Sequence, residues 1–156
     1  METRIRRTFD YAFDPATAEY PAGGVPRLEF HRIGPTPFTV LGAEITPILL
    51  EHGRYEVLGF RVGDVAYCTD TNGIPSQSVA QLQNLDVLIL DALRDTPHAT
   101  HFSLQEALQT AIDLEPERAY FTHICHKLEH QSVSDGLPDH FELAYDGLSI
   151  SLNGQS

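Results

Sequence analysis

The chain has 156 residues, of which 42% are apolar, and carries a formal charge of −12. This length and apolar content predict a single domain over residues 1–156 with its own hydrophobic core, rather than a disordered chain. The acidic surface argues against nucleic acid and membrane surfaces as partners, because it would repel their phosphate groups, and it favours a small substrate or a bound cation.

The two cysteines, Cys68 and Cys125, form no Cys-x-x-Cys pair, which argues against a disulfide scaffold and fits a reducing compartment. No apolar run approaches the roughly 18 residues of a membrane span. The first residues also lack the apolar segment of a signal peptide. We therefore expect a cytoplasmic protein.

The sequence predicts an N-terminal arm over residues 1–27. It begins with a short helix or ordered segment over 4–13. A loop rich in proline, glycine and alanine follows over 14–26. Alternation of apolar and polar residues predicts a strand over 28–33, and further strands are predicted over 38–40 and 44–50. A hairpin follows, because Gly63-Asp64 separates two further apolar runs, 57–62 and 65–68.

After the hairpin, helices and strands alternate. A capping box of Ser103 and Glu106 predicts the start of one helix, which carries apolar residues at helical spacing. The other predicted elements are a helix over 76–82, strands over 87–90 and 119–121, a short helix over 126–133, and a closing hairpin of 141–144 with 148–152. Antiparallel strands followed by this alternation predict an α/β fold with a mixed sheet and helices on one face.

Several polar residues follow directly on the C-terminal ends of predicted strands: His52, Asp70, Asp91 and His123. In open α/β sheets, ligands bind at this edge. A loop with Arg94, His98 and His101 comes directly after Asp91. Imidazole and carboxylate groups at one rim predict a site for a transition-metal ion.

Structural roles stay open for each of these residues. His52 could be an ordinary strand-end residue beside Gly53, and Asp70 could cap a turn within Thr-Asp-Thr-Asn-Gly. Asp91 could cap the loop or pair with Arg94. The remaining histidines could be solvated, and Cys125 is expected to serve packing.

Taken together, five segments resemble the metallo-β-lactamase-fold hydrolases: 67–71, 86–94, 97–103, 120–126 and 142–148. They are most similar to the branch of phosphoribosyl 1,2-cyclic phosphate phosphodiesterases of carbon–phosphorus lyase pathways. The likeness extends from about Arg6 to Leu152, and the motifs come in the family's order. The resemblance implies a four-layer αββα sandwich with two metal ions at its rim, commonly zinc or manganese.

The resemblance also implies roles for individual residues. His52 corresponds to a ligand of the first ion, Asp70 to the aspartate that bridges both ions, and His123 to a ligand of the second ion. His101 corresponds to the general acid that protonates the leaving oxygen. For the remaining loop residues, the resemblance implies that they contact the substrate or support the metal ligands: Asp91, Arg94, His98 and His126.

One family motif does not occur in this sequence. The signature His-x-His-x-Asp-His, which supplies most of the ligands, is absent, and the nearest fragment is Asp139-His140. We therefore expect the chain to correspond to the C-terminal half of the sandwich, with about two protein ligands for each ion. We expect the open face of its sheet to be covered by a second copy, by a complementing N-terminal half, or by rearranged N-terminal residues.

The function implied by the resemblance is metal-dependent hydrolysis of a small cyclic phosphodiester, impaired or lost in this chain alone. Whether the chain is itself an enzyme stays open. One alternative is a non-catalytic metal-binding or oligomerising module derived from the fold. Another is a hydrolase of the same superfamily that acts on a different ester class, such as a lactone or a thioester.

Overall fold

A computed structural model describes residues 2–19, 24–26 and 28–152, which belong to two compact units, Met1–Ile33 and Gly34–Ser156. None of the helices in this described part has the length and hydrophobicity of a membrane span. The division of the chain into one domain and an arm over 1–27 stays a prediction.

The first unit contains helix α1 (Glu2–Thr8) and two 3₁₀ turns, Asp10–Ala12 and Pro15–Glu19. The guanidinium carbon of Arg6 lies 4.7 Å from the ring centre of Phe13 and 4.8 Å from that of Phe30. The two rings stack on each other at 5.5 Å. Cation–π contacts of this kind stabilise the first unit, whose hydrophobic core is very small.

The structure bears on two predictions for this unit. The predicted strand over 28–33 is wrong: these residues are irregular, because Phe30 stacks on Phe13 instead of joining a sheet. The predicted loop over 14–26 contains the second 3₁₀ turn, and its residues 20–23 lie outside the described part of the chain.

The second unit is built on a seven-stranded sheet whose order follows the chain. Its strands are β1 (Phe38–Val40), β2 (Ala43–His52), β3 (Tyr55–Val62), β4 (Val65–Cys68), β5 (Val87–Asp91), β6 (Arg118–Thr122) and β7 (Phe141–Leu143). Its helices are α2 (Ser76–Val79), α3 (Leu104–Leu114) and α4 (His130–Ser134). The predicted α/β class with a mixed sheet is confirmed.

The pairing of neighbouring strands changes once along the sheet, from antiparallel to parallel. The pairs from β1 to β4 are antiparallel, and the pairs from β4 to β7 are parallel. Helices connect the parallel strands because a chain must cross back before it can add a strand in the same direction. The capping box predicted for α3 is present: Ser103 Oγ accepts from the N–H of Glu106, and the Glu106 carboxylate accepts from the N–H of Ser103.

The core lies between one face of the sheet and the helices. Cys68, Leu90, Phe121 and Leu143 stand in register across four strands, and each is fully buried. Small and apolar residues of α3 pack against this face: Ala107, Ala111 and Leu114. Burying a side chain as large as Phe121 stabilises the fold by roughly 2–3 kcal/mol.

The opposite face of the sheet is less covered. Phe60, Tyr67, Ile89 and Tyr120 stand in register on it, and Tyr67 is 48% exposed. One sheet with helices on one face corresponds to half of the expected αββα sandwich. The partner that we expect on the other face stays a prediction.

Two details at the C-terminal end differ from expectation. Helix α4 begins at His130 rather than at residue 126, because the side chain of Glu129 caps it by accepting from the N–H groups of Gln131 and Ser132. The predicted closing hairpin is wrong. Strand β7 pairs in parallel with β6, and residues 148–152 add no strand.

Candidate metal centre

Of the five strands that run in the same direction, four carry the site residues at one edge of the sheet: β2, β4, β5 and β6. β2 and β4 are both antiparallel to β3, and β5 and β6 are parallel to β4. Polar residues lie at or just beyond their C-terminal ends: His52, Asp70, Asp91 and His123. The structure therefore brings the predicted strand-end residues to one rim.

The segment between β5 and α3 folds back on itself and adds two histidines to this rim. The N–H of Leu93 donates to the carbonyl of Phe102, and the N–H of Leu104 donates to the carbonyl of Arg94, each at 2.9 Å. The loop between these bonds carries His98 and His101.

The imidazole groups form a tight cluster. The Nε2 atoms of His52 and His101 are 3.4 Å apart. The ring centre of His101 lies 4.7 Å from that of His123 and 5.2 Å from that of His98. Asp70 belongs to the same cluster, because its Oδ1 lies 3.6 Å from Nδ1 of His123.

His123 has an unusual backbone conformation. Its φ is +58°, in the left-handed region that residues other than glycine seldom adopt. The chain turns sharply there after β6, and two residues later the N–H of Cys125 donates to the carbonyl of Leu93. Such residues cluster at functional sites, where the surrounding structure holds the strained conformation.

Asp91 orients His101. Its carboxylate is fully buried; Oδ2 lies 3.2 Å from Nδ1 of His101, and Oδ1 accepts from the N–H of Thr71 at 2.9 Å. Burial raises the pKa of Asp91 to about 6. Burial and the neighbouring His123 lower the pKa of His101. With Nδ1 engaged by Asp91, the Nε2 atom of His101 is left to face the cluster.

The other loop residues have different positions. The guanidinium of Arg94 donates to the carbonyls of Thr96 and Pro97, so Arg94 holds the loop in shape. Nδ1 of His98 lies 3.3 Å from the hydroxyl of Thr100. Burial and Arg94 lower the pKa of His98. His126 is exposed in the turn before α4, and none of the side-chain hydrogen bonds of the described residues involves it.

Sequence reasoning missed the two residues that follow Asp70. The hydroxyl of Thr71 lies 2.7 Å from the carbonyl of Glu51, and the amide of Asn72 contacts both Gly53 and Ala99. The turn-forming sequence Thr-Asp-Thr-Asn-Gly predicts local contacts only. The partners of these residues are distant in the chain, so no local signal identified them.

The donors present fit a divalent metal ion. His52, Asp70 and His101 each offer one donor atom, and these atoms lie within 4.8 Å of one another. Imidazole nitrogen with carboxylate oxygen suits zinc and manganese alike. The donor set does not select between the two metals.

Comparison with known proteins supplies the family. Residues 1–124 match the family described as "Beta-lactamase superfamily domain". A structure described as a new diphosphatase from the PhnP family is 37% identical to the chain and has a TM-score of 0.83. The match covers 94% of this chain and 53% of that chain, so this chain spans about half the length of its structural relative.

Two further relatives are more distant. An octanoyltransferase from Porphyromonas gingivalis is 29% identical over 152 residues, which are 96% of this chain and 30% of that protein. Zn²⁺-bound PqqB from Methylobacterium extorquens is 16% identical, with a TM-score of 0.62 over 92% of this chain and 62% of the other. The similarity to PqqB shows the fold alone.

Proposed function

The chain belongs to the beta-lactamase superfamily, and we propose that it forms part of a metal-dependent hydrolase acting on a small phosphodiester, with a cyclic phosphodiester as the expected substrate. The observation that carries this proposal is the convergence of His52, Asp70, His101 and His123 at one rim. The similarity to a diphosphatase of the PhnP family supports a substrate that contains phosphate.

We assign the metal to the donors of this cluster. His52, Asp70 and His123 would hold divalent metal, zinc or manganese. The chemistry that such metal supplies when bound is Lewis-acid polarisation of the phosphoryl group and activation of water.

His101 would act as the proton donor to the leaving oxygen. Asp91 lies at its Nδ1, so the ring presents Nε2 toward the histidine cluster, where the substrate would bind. A proton carried on Nε2 would then be available to the leaving oxygen, as general acid catalysis requires. Arg94 and His98 would contribute by holding the loop and by contacting the substrate.

A full two-metal site needs more ligands than this sequence offers. Catalytic metal ions usually have three or more protein ligands, and the His-x-His-x-Asp-His motif is absent from the 156 residues. We propose that further ligands come from a complementing N-terminal half or from a second copy of the chain. The missing motif also favours a second candidate function, a metal-binding module without turnover.

The test is a phosphodiesterase assay of the chain alone and of the chain co-expressed with an N-terminal half that carries the motif. With bis(4-nitrophenyl) phosphate and Mn²⁺ or Zn²⁺, we expect strong metal-dependent hydrolysis only in the complemented form. Asp70→Ala should abolish it, whereas His31→Ala, at an exposed histidine of the first unit, should not. Metal binding without hydrolysis in either form would support the non-catalytic module instead.

A further inference from the structure

The side chain of Asn72 joins two loops that both carry histidines of the metal centre. Its Oδ1 accepts from the N–H of Gly53 at 2.7 Å, directly after His52. Its Nδ2 donates to the carbonyl of Ala99 at 3.3 Å, two residues before His101. The partners fix which end of the amide is oxygen, because one is an N–H donor and the other a carbonyl acceptor.

Thr71 makes a second set of links from the same turn. Its side chain is fully buried, and its hydroxyl lies 2.7 Å from the carbonyl of Glu51, the residue before His52. Its N–H donates to Asp91, and its carbonyl accepts from the N–H of Phe102, the residue after His101. Thr71 therefore connects β2, β5 and the histidine loop.

The two loops joined by Asn72 are in close contact. A Cβ atom at Gly53 would lie 2.8 Å from Cγ2 of Thr100 and 3.3 Å from the carbonyl oxygen of Ala99. The space between the loops therefore leaves no room for a side chain at Gly53, and the amide of Asn72 bridges the loops.

A purely local role does not account for these contacts. An asparagine that caps its own turn bonds to backbone groups one or two residues away. Here both amide atoms bond to segments that are 19 and 27 residues distant in sequence. One segment directly follows His52, and the other lies between His98 and His101.

We propose that Asn72 and Thr71 are positioning residues of the metal centre: they hold the backbone on both sides of the ligand His52 and thereby set the metal affinity, and they fix the distance from His52 to the proton donor His101. The inference rests on the proposed function, since it needs a metal at this rim. Residues that orient ligands without touching the metal typically contribute about 10–100-fold in affinity.

The test is titration of the purified chain with Co²⁺, followed by calorimetry and by the visible absorption of the bound ion. Asn72→Ala should bind Co²⁺ at least about tenfold more weakly than the wild type, with an altered absorption spectrum. The matched control is Gln109→Ala, which removes an amide hydrogen bond to Asp113 on α3, away from the rim. It should bind like the wild type.

Thr71 provides a second, independent pair of variants. Thr71→Val removes the hydroxyl but keeps the shape of the side chain, and should weaken Co²⁺ binding. Thr71→Ser keeps the hydroxyl and should restore binding to near the wild-type level. A merely structural role would lower the melting temperature of these variants without changing the spectrum of the bound ion. If Asn72→Ala does not fold, this pair decides the question.

Two outcomes would overturn the inference in distinguishable ways. If the wild type, Asn72→Ala and Thr71→Val all bind Co²⁺ with the same affinity and spectrum, the positioning role is wrong. The proposed metal site then stands. If the folded wild type binds no Co²⁺, the proposed metal site is itself wrong for this chain, and the positioning role falls with it.

Discussion

The Nε2 atoms of His52 and His101 lie 3.4 Å apart, although 49 residues separate the two histidines in the chain. Two nitrogen ligands of one tetrahedral zinc ion, each at 2.0–2.1 Å, would be about 3.4 Å apart. The same distance also suits a proton donor next to a ligand. The distance alone therefore fits His101 either as a metal ligand or as a proton donor.

Replacing His101 separates these two roles. We expect His101→Ala to keep metal affinity within a few-fold of the wild type and to lower the hydrolysis rate of the complemented enzyme by about 10²–10⁴. Calorimetry measures the first quantity and the phosphodiesterase assay measures the second. Loss of metal binding in His101→Ala would show instead that His101 is a ligand oriented by Asp91.

Gly53 is expected to tolerate no side chain. Gly53→Ala places a methyl group 2.8 Å from Thr100 Cγ2 at a residue with φ of +63°. Gly63→Ala is the matched control, because its φ is +55° and nothing lies within 4 Å of the added atom. We expect about 1–2 kcal/mol of backbone strain in both variants.

Only Gly53→Ala should also displace the histidine loop and weaken metal binding. Urea unfolding and metal titration of the two variants measure the two effects. Equal loss of stability and unchanged metal affinity in both variants would mean that the contact between the loops is not tight.

The strand-end pattern predicted which residues of this rim come together, because each of His52, Asp70, Asp91 and His123 follows an apolar run and parallel strands end at the same edge. It could not predict the distances. These depend on how residues 92–103 fold back, which is determined by backbone bonds such as that between Leu93 and Phe102.

The errors also have physical causes. The alternation at 28–33 satisfies a strand pattern, but Phe30 finds an aromatic partner in Phe13. Residues 148–152 resemble a hairpin strand, but β7 pairs in parallel with β6, and the Arg118 side chain instead donates to the carbonyl of Ser151. In both cases a tertiary contact overrides the local pattern.

The capping box of α3 should make stability depend on pH. Hydrogen bonds from the side chain and the backbone N–H of Ser103 lower the pKa of Glu106. The stabilisation is therefore present above the unfolded pKa of about 4.3 and is lost as the pH falls through the lower folded pKa. Because the carboxylate is exposed and screened, we expect only a few tenths of a kcal/mol.

Glu106→Gln tests this dependence. The difference in unfolding free energy between the wild type and Glu106→Gln should be positive at pH 7 and should shrink below about pH 4. Glu56→Gln, at an exposed residue of β3, controls for the loss of one charge. A difference that is constant from pH 7 to pH 3 would contradict the assignment.

The two thiols should differ in reactivity. Burial, assisted by the charge of Asp91, raises the pKa of Cys68 to about 12, and Cys68 is fully buried. Cys125 is partly exposed. Because the thiolate is the reactive form, a disulfide reagent at pH 8 should modify one thiol per native chain and two in guanidinium chloride. Cys125→Ser should remove the rapid reaction, and a rapid second reaction in the native wild type would count against this packing of Cys68.

The most direct test of the account is metal binding by the purified chain and its ligand variants. We predict that Zn²⁺ or Mn²⁺ binds to the wild type and to His31→Ala, and raises the stability by about 2.7 kcal/mol at a hundredfold excess over Kd. Binding should be lost in His52→Ala, Asp70→Ala and His123→Ala. If these three variants fold and bind metal as tightly as the wild type, the rim is not a metal centre.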